Sequence, residues 1–183
     1  MQPIPEPTPR QGIKLRNKVG LPGWGVLLFI PVILLLALAL VIVILGGPIT
    51  INGSSMYPAL HDGDRVFITK HKSGSMPKRG DIISLIDPTG DPVNLIKRVF
   101  AVAGDTIICE GGLLMVKGQK PYEKVHCLRP GPAKLLLPKN TIFVVGDNEK
   151  EALDSRIFGP VPVNHVKGRA VLIPWPLSRI RRL

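Results

Sequence analysis

The chain has 183 residues, of which 24 are Lys or Arg and 13 are Asp or Glu, for a formal net charge of +11. That length holds one domain, or a small domain with an appendage. Hydrophobic residues make up 45% but aromatics only 5%, and no Asp, Glu, Lys or Arg occurs from Val19 to His61. Apolar sequence so concentrated argues against a fully soluble protein, and against reading the basic charge as a nucleic-acid footprint.

Residues 1–23 read as a cytoplasmic tail. Pro3, Pro5, Pro7 and Pro9 favour extended, disordered chain, and Arg10, Lys14, Arg16 and Lys18 outnumber the single Glu6. Residues 24–46 are expected to form one transmembrane signal-anchor helix. Within them Val26–Leu45 is a run of 20 uncharged residues. At 1.5 Å per residue that matches a hydrocarbon core of about 30 Å. The run is apolar on every face, which a helix in water would not be. Trp24 sits where an interfacial aromatic belongs, and Pro31 lies near one end, where a kink is tolerated. A cleaved secretory signal is the alternative. Its apolar region would be shorter, about 7–15 residues, and Gly46-Gly47-Pro48 is a poor cleavage site. The basic flank keeps the N-terminus inside. The expected topology is therefore single-pass type II in the cell membrane, with 47–183 outside the cytoplasm.

After Pro48 the pattern changes to short Val- and Ile-rich runs between Gly and Pro. Strands are expected at 65–69, 81–86, 94–102, 106–109, 113–116, 141–145 and 169–173. Sustained helical periodicity is lacking. The expected fold class is all-β, a barrel-like domain in which 106–140 forms a small cap insertion. Cys109 and Cys127 both fall in the exported part. A disulfide and two buried free thiols are both compatible with the sequence.

No histidine pair has metal-ligand spacing, and two cysteines cannot make a zinc knuckle. His61, His71, His126 and His165 read as loop or surface residues. Three segments carry more information. The first is Asn52–Leu60, NGSSMYPAL, which follows the anchor closely: Leu45 to Ser55 spans at most about 35 Å of extended chain. Gly before a serine in a turn can present a hydroxyl and a backbone N–H together, as a nucleophile and oxyanion donor require. A Ser-rich turn after a membrane helix gives the same letters. The second is Asn94–Phe100, NLIKRVF, an apolar strand with two adjacent cations. Neighbours on a strand point to opposite faces, so one is expected inside and the other in solvent. Arg cannot give up its proton. A buried lysine can, because burial penalises the charged form. An edge strand with two solvated charges is the plainer reading. The third, Gly146–Gly159, is a polar loop in which Asp154 and Arg156 can pair and Asp147 and Asn148 suit an Asx turn.

Together these segments resemble the type I signal peptidases, the membrane-bound Ser-Lys peptidases. The match is an anchor followed by G-S-S-M-Y-P-A-L (53–60), G-D-R-V-F-I-T-K (63–70), R-G-D-I-I (79–83), I-K-R-V-F-A-V-A-G-D (96–105) and G-D-N-x5-D-S-R-x2-G-P-V (146–161). The resemblance implies a serine endopeptidase that removes signal peptides from exported preproteins after small residues, without metal or cofactor. It implies Ser55 as nucleophile, Lys97 as general base and the Ser55 N–H as oxyanion donor. Asp154 and Arg156 become its structural pair. A second oxyanion donor used by some members falls at Gly53, which has no hydroxyl. Met56, Leu60 and Ile96 are expected to line the substrate pockets, by proximity to Ser55 and Lys97. Two positions depart from the family's wording: Glu149 replaces an arginine, and Ala152 replaces a serine that orients the lysine. The implied partners are preprotein signal peptides and the lipid bilayer, with no nucleic acid and a monomeric enzyme. An inactive relative that only binds signal peptides, or a Ser-Lys peptidase with one dedicated substrate, is compatible with the same motifs.

Overall fold

The computed structural model describes residues 23–72, 74–119, 125–128 and 134–183, excepting the side chains of 23–26, 28 and 42–45. The basic tail and the middle of the expected cap lie outside them. The chain divides into two units after Leu40. The first contains most of helix α1 (Gly23–Leu45), which includes Pro31. Among the described residues no helix is both long and apolar enough to cross a membrane.

The second unit is mostly β. Its larger sheet contains β1 (Gly46–Thr50), β2 (Arg65–Lys70), β3 (Ile82–Ile86), β4 (Asn94–Val102), β9 (Thr141–Val145), β10 (Val161–Pro162), β11 (Val166–Trp175) and β12 (Arg181–Arg182). The strand order is β1-β2-β11-β3-β4-β9-β10, with β12 paired to β11. Every pairing is antiparallel. The order ends at β1 on one side and β10 on the other, a half-barrel sheet in keeping with the mostly β, barrel-like domain expected. The smaller sheet, in order β7-β6-β5-β8, is built from β5 (Thr106–Glu110), β6 (Leu113–Val116), β7 (Val125–His126) and β8 (Lys134–Leu136). It lies between β4 and β9 in sequence, where the insertion was expected.

Three apolar clusters hold these sheets. Met56, Leu60, Val66, Ile68 and Ile82 lead the first. Ile83, Leu85, Val99, Ile142 and Val144 lead the second. The third joins Phe143 and Val145 of β9 to Ile107 and Val125 of the smaller sheet. Strand β9 therefore buries both faces, Ile142 and Val144 on one and Phe143 and Val145 on the other. Its sequence TIFVV is accordingly a continuous apolar run and not an alternating one.

Strand β1, of sequence GGPIT, was not expected, because Gly and Pro disfavour strands. It is tolerated as an edge strand, where the missing N–H of Pro48 faces away from any partner. Gly46 is required there. Its φ is +121°, and a Cβ would lie 1.9 Å from the Ile68 carbonyl oxygen.

Register explains the pairing of the cysteines. Cys109 of β5 lies opposite Leu114 of β6, and Leu114 lies opposite Val125 of β7. The chain leaving β7 is held by Cys127 N–H donating to the Gly112 carbonyl at 3.0 Å. Cys109 and Cys127 are joined as a disulfide, with Cα atoms 6.3 Å apart.

Candidate active site

A cleft of about 570 Å3 runs over the first apolar cluster, from β1 to β4, and Ser55, Met56, Ser84, Ile96 and Lys97 line it. Two strand edges border it. Among the described residues strand β1 pairs only with β2, and residues 94–97 of β4 pair with β3, while β9 takes over from Arg98.

Ser55 lies in the turn after β1. Tyr57 N–H donates to the Ser54 carbonyl at 2.9 Å and Leu60 N–H to that of Met56 at 2.8 Å, which closes the turn. Among the described residues the Ser55 N–H has no acceptor. The turn is clamped from the third segment. Asn148 N–H donates to the Ser55 carbonyl at 3.0 Å, and a Cβ on Gly146 would lie 2.6 Å from that oxygen and 2.3 Å from the Ala152 Cβ. Only glycine permits the loop to press so closely on the serine. The two adjacent serines have different partners: Ser54 Oγ donates to the Glu151 carboxylate, and Ser55 Oγ accepts from Lys97 Nζ at 2.9 Å.

Lys97 is only 3% exposed. Burial lowers the pKa of its ammonium below the ordinary 10.5, opposed by the charges of Asp154, Asp147 and Asp87. A lysine that sheds its proton easily and touches a hydroxyl can act as a base toward it. Ser55 and Lys97 are thus brought together from positions 42 residues apart.

The expectation that one of the two adjacent cations reaches solvent is corrected. Arg98 does lie on the opposite face of β4 from Lys97, but it meets protein there. Its Nη2 and Nε donate to Asp147 at 2.6 and 2.8 Å, and Nη1 donates to the Gly80 carbonyl at 3.0 Å. Asp147 is consequently an ion-pair partner and not the start of an Asx turn. Asp154 is fully buried. It accepts from Gly146 N–H at 2.9 Å, Arg156 N–H at 3.0 Å and Arg156 Nη2 at 2.8 Å.

The other pocket residues divide. Met56 and Ile96 line the cleft, whereas Leu60 and Gly53 do not. Leu60 is fully buried in the apolar cluster beneath it. Gly53 N–H donates to Asp62 Oδ1 at 2.7 Å and is not open for another acceptor. Glu149, one of the two departures, takes a role of its own. It accepts from His126 N–H at 3.0 Å and lies 2.8 Å from His126 Nδ1, which ties the smaller sheet to the loop. Ala152 leaves Ser55 Oγ as the one hydrogen-bond partner of Lys97 Nζ among the described residues.

A model of the family described as signal peptidase, peptidase S26, matches residues 23–175. The chain belongs to that family. It is 31% identical to a signal peptidase I of Bacillus amyloliquefaciens, over 97% of this chain and 96% of the relative. It is 32% identical to signal peptidase I T of Bacillus subtilis, over 87% and 88% respectively. A crystal structure of a signal peptidase I from Enterococcus faecalis is similar at 23% identity and a TM-score of 0.41, covering 52% of this chain and 97% of that one. As a member of the signal peptidase family, the protein is a peptidase.

Proposed function

We propose that this protein is a membrane-anchored serine endopeptidase that cleaves N-terminal signal peptides from exported preproteins, with Ser55 and Lys97 as a catalytic dyad. The observation that carries the reading is the 2.9 Å contact between buried Lys97 Nζ and Ser55 Oγ in an accessible cleft. Neutral Lys97 takes the Ser55 proton as Oγ attacks the scissile carbonyl. The oxyanion forms beside the unpaired Ser55 N–H. Lys97 then protonates the leaving amine, and the same lysine activates the water that hydrolyses the acyl-enzyme. With Ala152 offering no hydroxyl, the lysine is oriented by its burial in β4.

The substrate binds extended, adding a strand at the free edges of β1 and residues 94–97. Small side chains fit the shallow apolar floor formed by Met56 and Ile96. Helix α1 serves as the anchor, with the N-terminus cytoplasmic and 47–183 on the other side. A signal peptide's apolar segment also lies in the bilayer, so tethering raises the effective concentration of its cleavage site. The exposed Trp175 of β11, with the exposed Arg181 and Arg182 of the paired strand β12, suits an interfacial, anionic surface.

The test is to incubate full-length protein in liposomes with a preprotein carrying Ala at the first and third positions before the cut, and to map the new N-terminus by mass spectrometry. Cleavage after the first-position Ala is expected, and replacement of that Ala by Leu should abolish it. A folded protein that binds the preprotein and never cleaves it would instead support the binding-only relative.

A further inference from the structure

The cleft contains one side chain that the proposed mechanism does not use. Ser84 lies on β3 opposite Ile96 of β4, is 5% exposed, and lines the cleft with Ser55, Ile96 and Lys97. Its surroundings are mixed: Ile82, two residues earlier on the same strand face, packs with Met56 and Ile68, while Gly168 separates Ser84 from Lys70 in the same cross-strand row. Six polar or charged side chains are buried among the described residues. Asp64, Asp87, Lys97, Asp154 and Ser155 each have a hydrogen-bond partner. The Ser84 hydroxyl has none among the described residues. The buried polar atoms left without a partner among the described residues are His71 Nε2 and His165 Nδ1; the Ser84 hydroxyl is not one of these buried atoms and opens onto the space that an extended substrate would occupy.

We infer that Ser84 is a specificity-determining residue whose hydroxyl reads a small hydroxyl-bearing side chain, serine or threonine, at the third position before the cut. This rests on the proposed function. Side chains of an extended substrate alternate in direction, so the first and third positions before the cut face the same wall, about 7 Å apart. Ser55 and Lys97 fix the first. Ser84 lies one strand beyond Ile96, about 5 Å further across the sheet, at the register of the residue preceding Lys97. A hydroxyl can both donate to and accept from another hydroxyl. Valine, which has the shape of threonine, leaves the Ser84 hydroxyl without a partner.

Three preproteins that differ only at the third position, as Ala, Thr or Val, test the inference. The wild type should prefer Thr to Val. Ser84→Val should lower the Thr-to-Val ratio of kcat/KM by about tenfold, the worth of one buried hydrogen bond. Ser84→Ala, which only removes the hydroxyl, should shift the ratio in the same direction. An unchanged ratio in both variants overturns the inference. So does an equal loss on all three substrates, which would assign Ser84 to the substrate backbone. A parallel titration of the Thr and Val peptides onto Ser55→Ala and Ser55→Ala/Ser84→Val reads the same ratio as Kd, without hydrolysis. Failure of the wild type to cleave thus counts against the proposed function, while the binding ratio still decides the role of Ser84.

Discussion

Ser55→Ala and Lys97→Ala should each lower kcat/KM by roughly 10⁴-fold or more, and the double variant should be no worse than either single one. The non-additivity follows from the geometry. Lys97 Nζ touches Ser55 Oγ at 2.9 Å, so each group is useless in catalysis without the other. Lys97→Arg should be equally inactive, because a guanidinium stays charged in a protein and cannot accept the proton. Lys97→Met separates catalysis from folding. The folded-state pKa of Lys97 lies below its unfolded value. Between those two values the unfolded chain binds more protons, so this group makes stability rise with pH. Below the lowered pKa its full penalty is present. Lys97→Met removes it, and the inactive variant should melt a few degrees higher than wild type near pH 6, with the gap closing as pH rises. A kcat/KM loss of less than tenfold in Lys97→Ala would exclude the lysine as base.

Asp154→Ala should cost about 3–5 kcal/mol, the usual consequence of removing one partner from a buried ion pair. The Arg156 side chain is 2% exposed and the Asp154 side chain fully buried. Without the Asp154 carboxylate the guanidinium keeps a longer ion pair to the Glu149 carboxylate at 3.8 Å and the Glu149 carbonyl at 3.2 Å. The Gly146 N–H loses its acceptor as well. Natural domains have about 5–15 kcal/mol to lose, so a fall in Tm of roughly 10 °C is expected by circular dichroism. Activity should fall with it, because the same loop holds the Ser55 carbonyl through Asn148. Asp154→Leu combined with Arg156→Met, which leaves no orphaned charge, should recover much of the stability. Equal melting of the double variant and Asp154→Ala would contradict this account of the pair.

The strands that form the cores were legible in the sequence because burial writes itself as Val and Ile runs. TIFVV and RVFIT are examples, and their bounds in the structure differ little from those expected. Strand β1 was not legible, since Gly46, Gly47 and Pro48 carry turn chemistry and act here through a close backbone approach to Ile68. Lys97 could be singled out as a lysine inside an apolar strand. The fate of Arg98 could not, because its partner Asp147 lies 49 residues away and reaches it only through the packing of the loop. Likewise the letters Ser54-Ser55 do not say which hydroxyl meets the lysine. Nearness in sequence was a poor guide to the cleft wall. Leu60 points into the core, while Ser84, far from either catalytic segment, lines the cleft. The partner of Glu149 was equally hidden, since His126 belongs to the smaller sheet.

The most direct test of the dyad is to titrate Lys97 itself. Its Nζ can be followed by NMR in protein carrying labelled lysine, alongside the pH dependence of kcat/KM, whose acid limb reports the free enzyme's essential base. A Lys97 pKa well below 10.5 that coincides with the acid limb is the predicted result. A Lys97 that stays charged to its ordinary pKa while the enzyme works at neutral pH would contradict it.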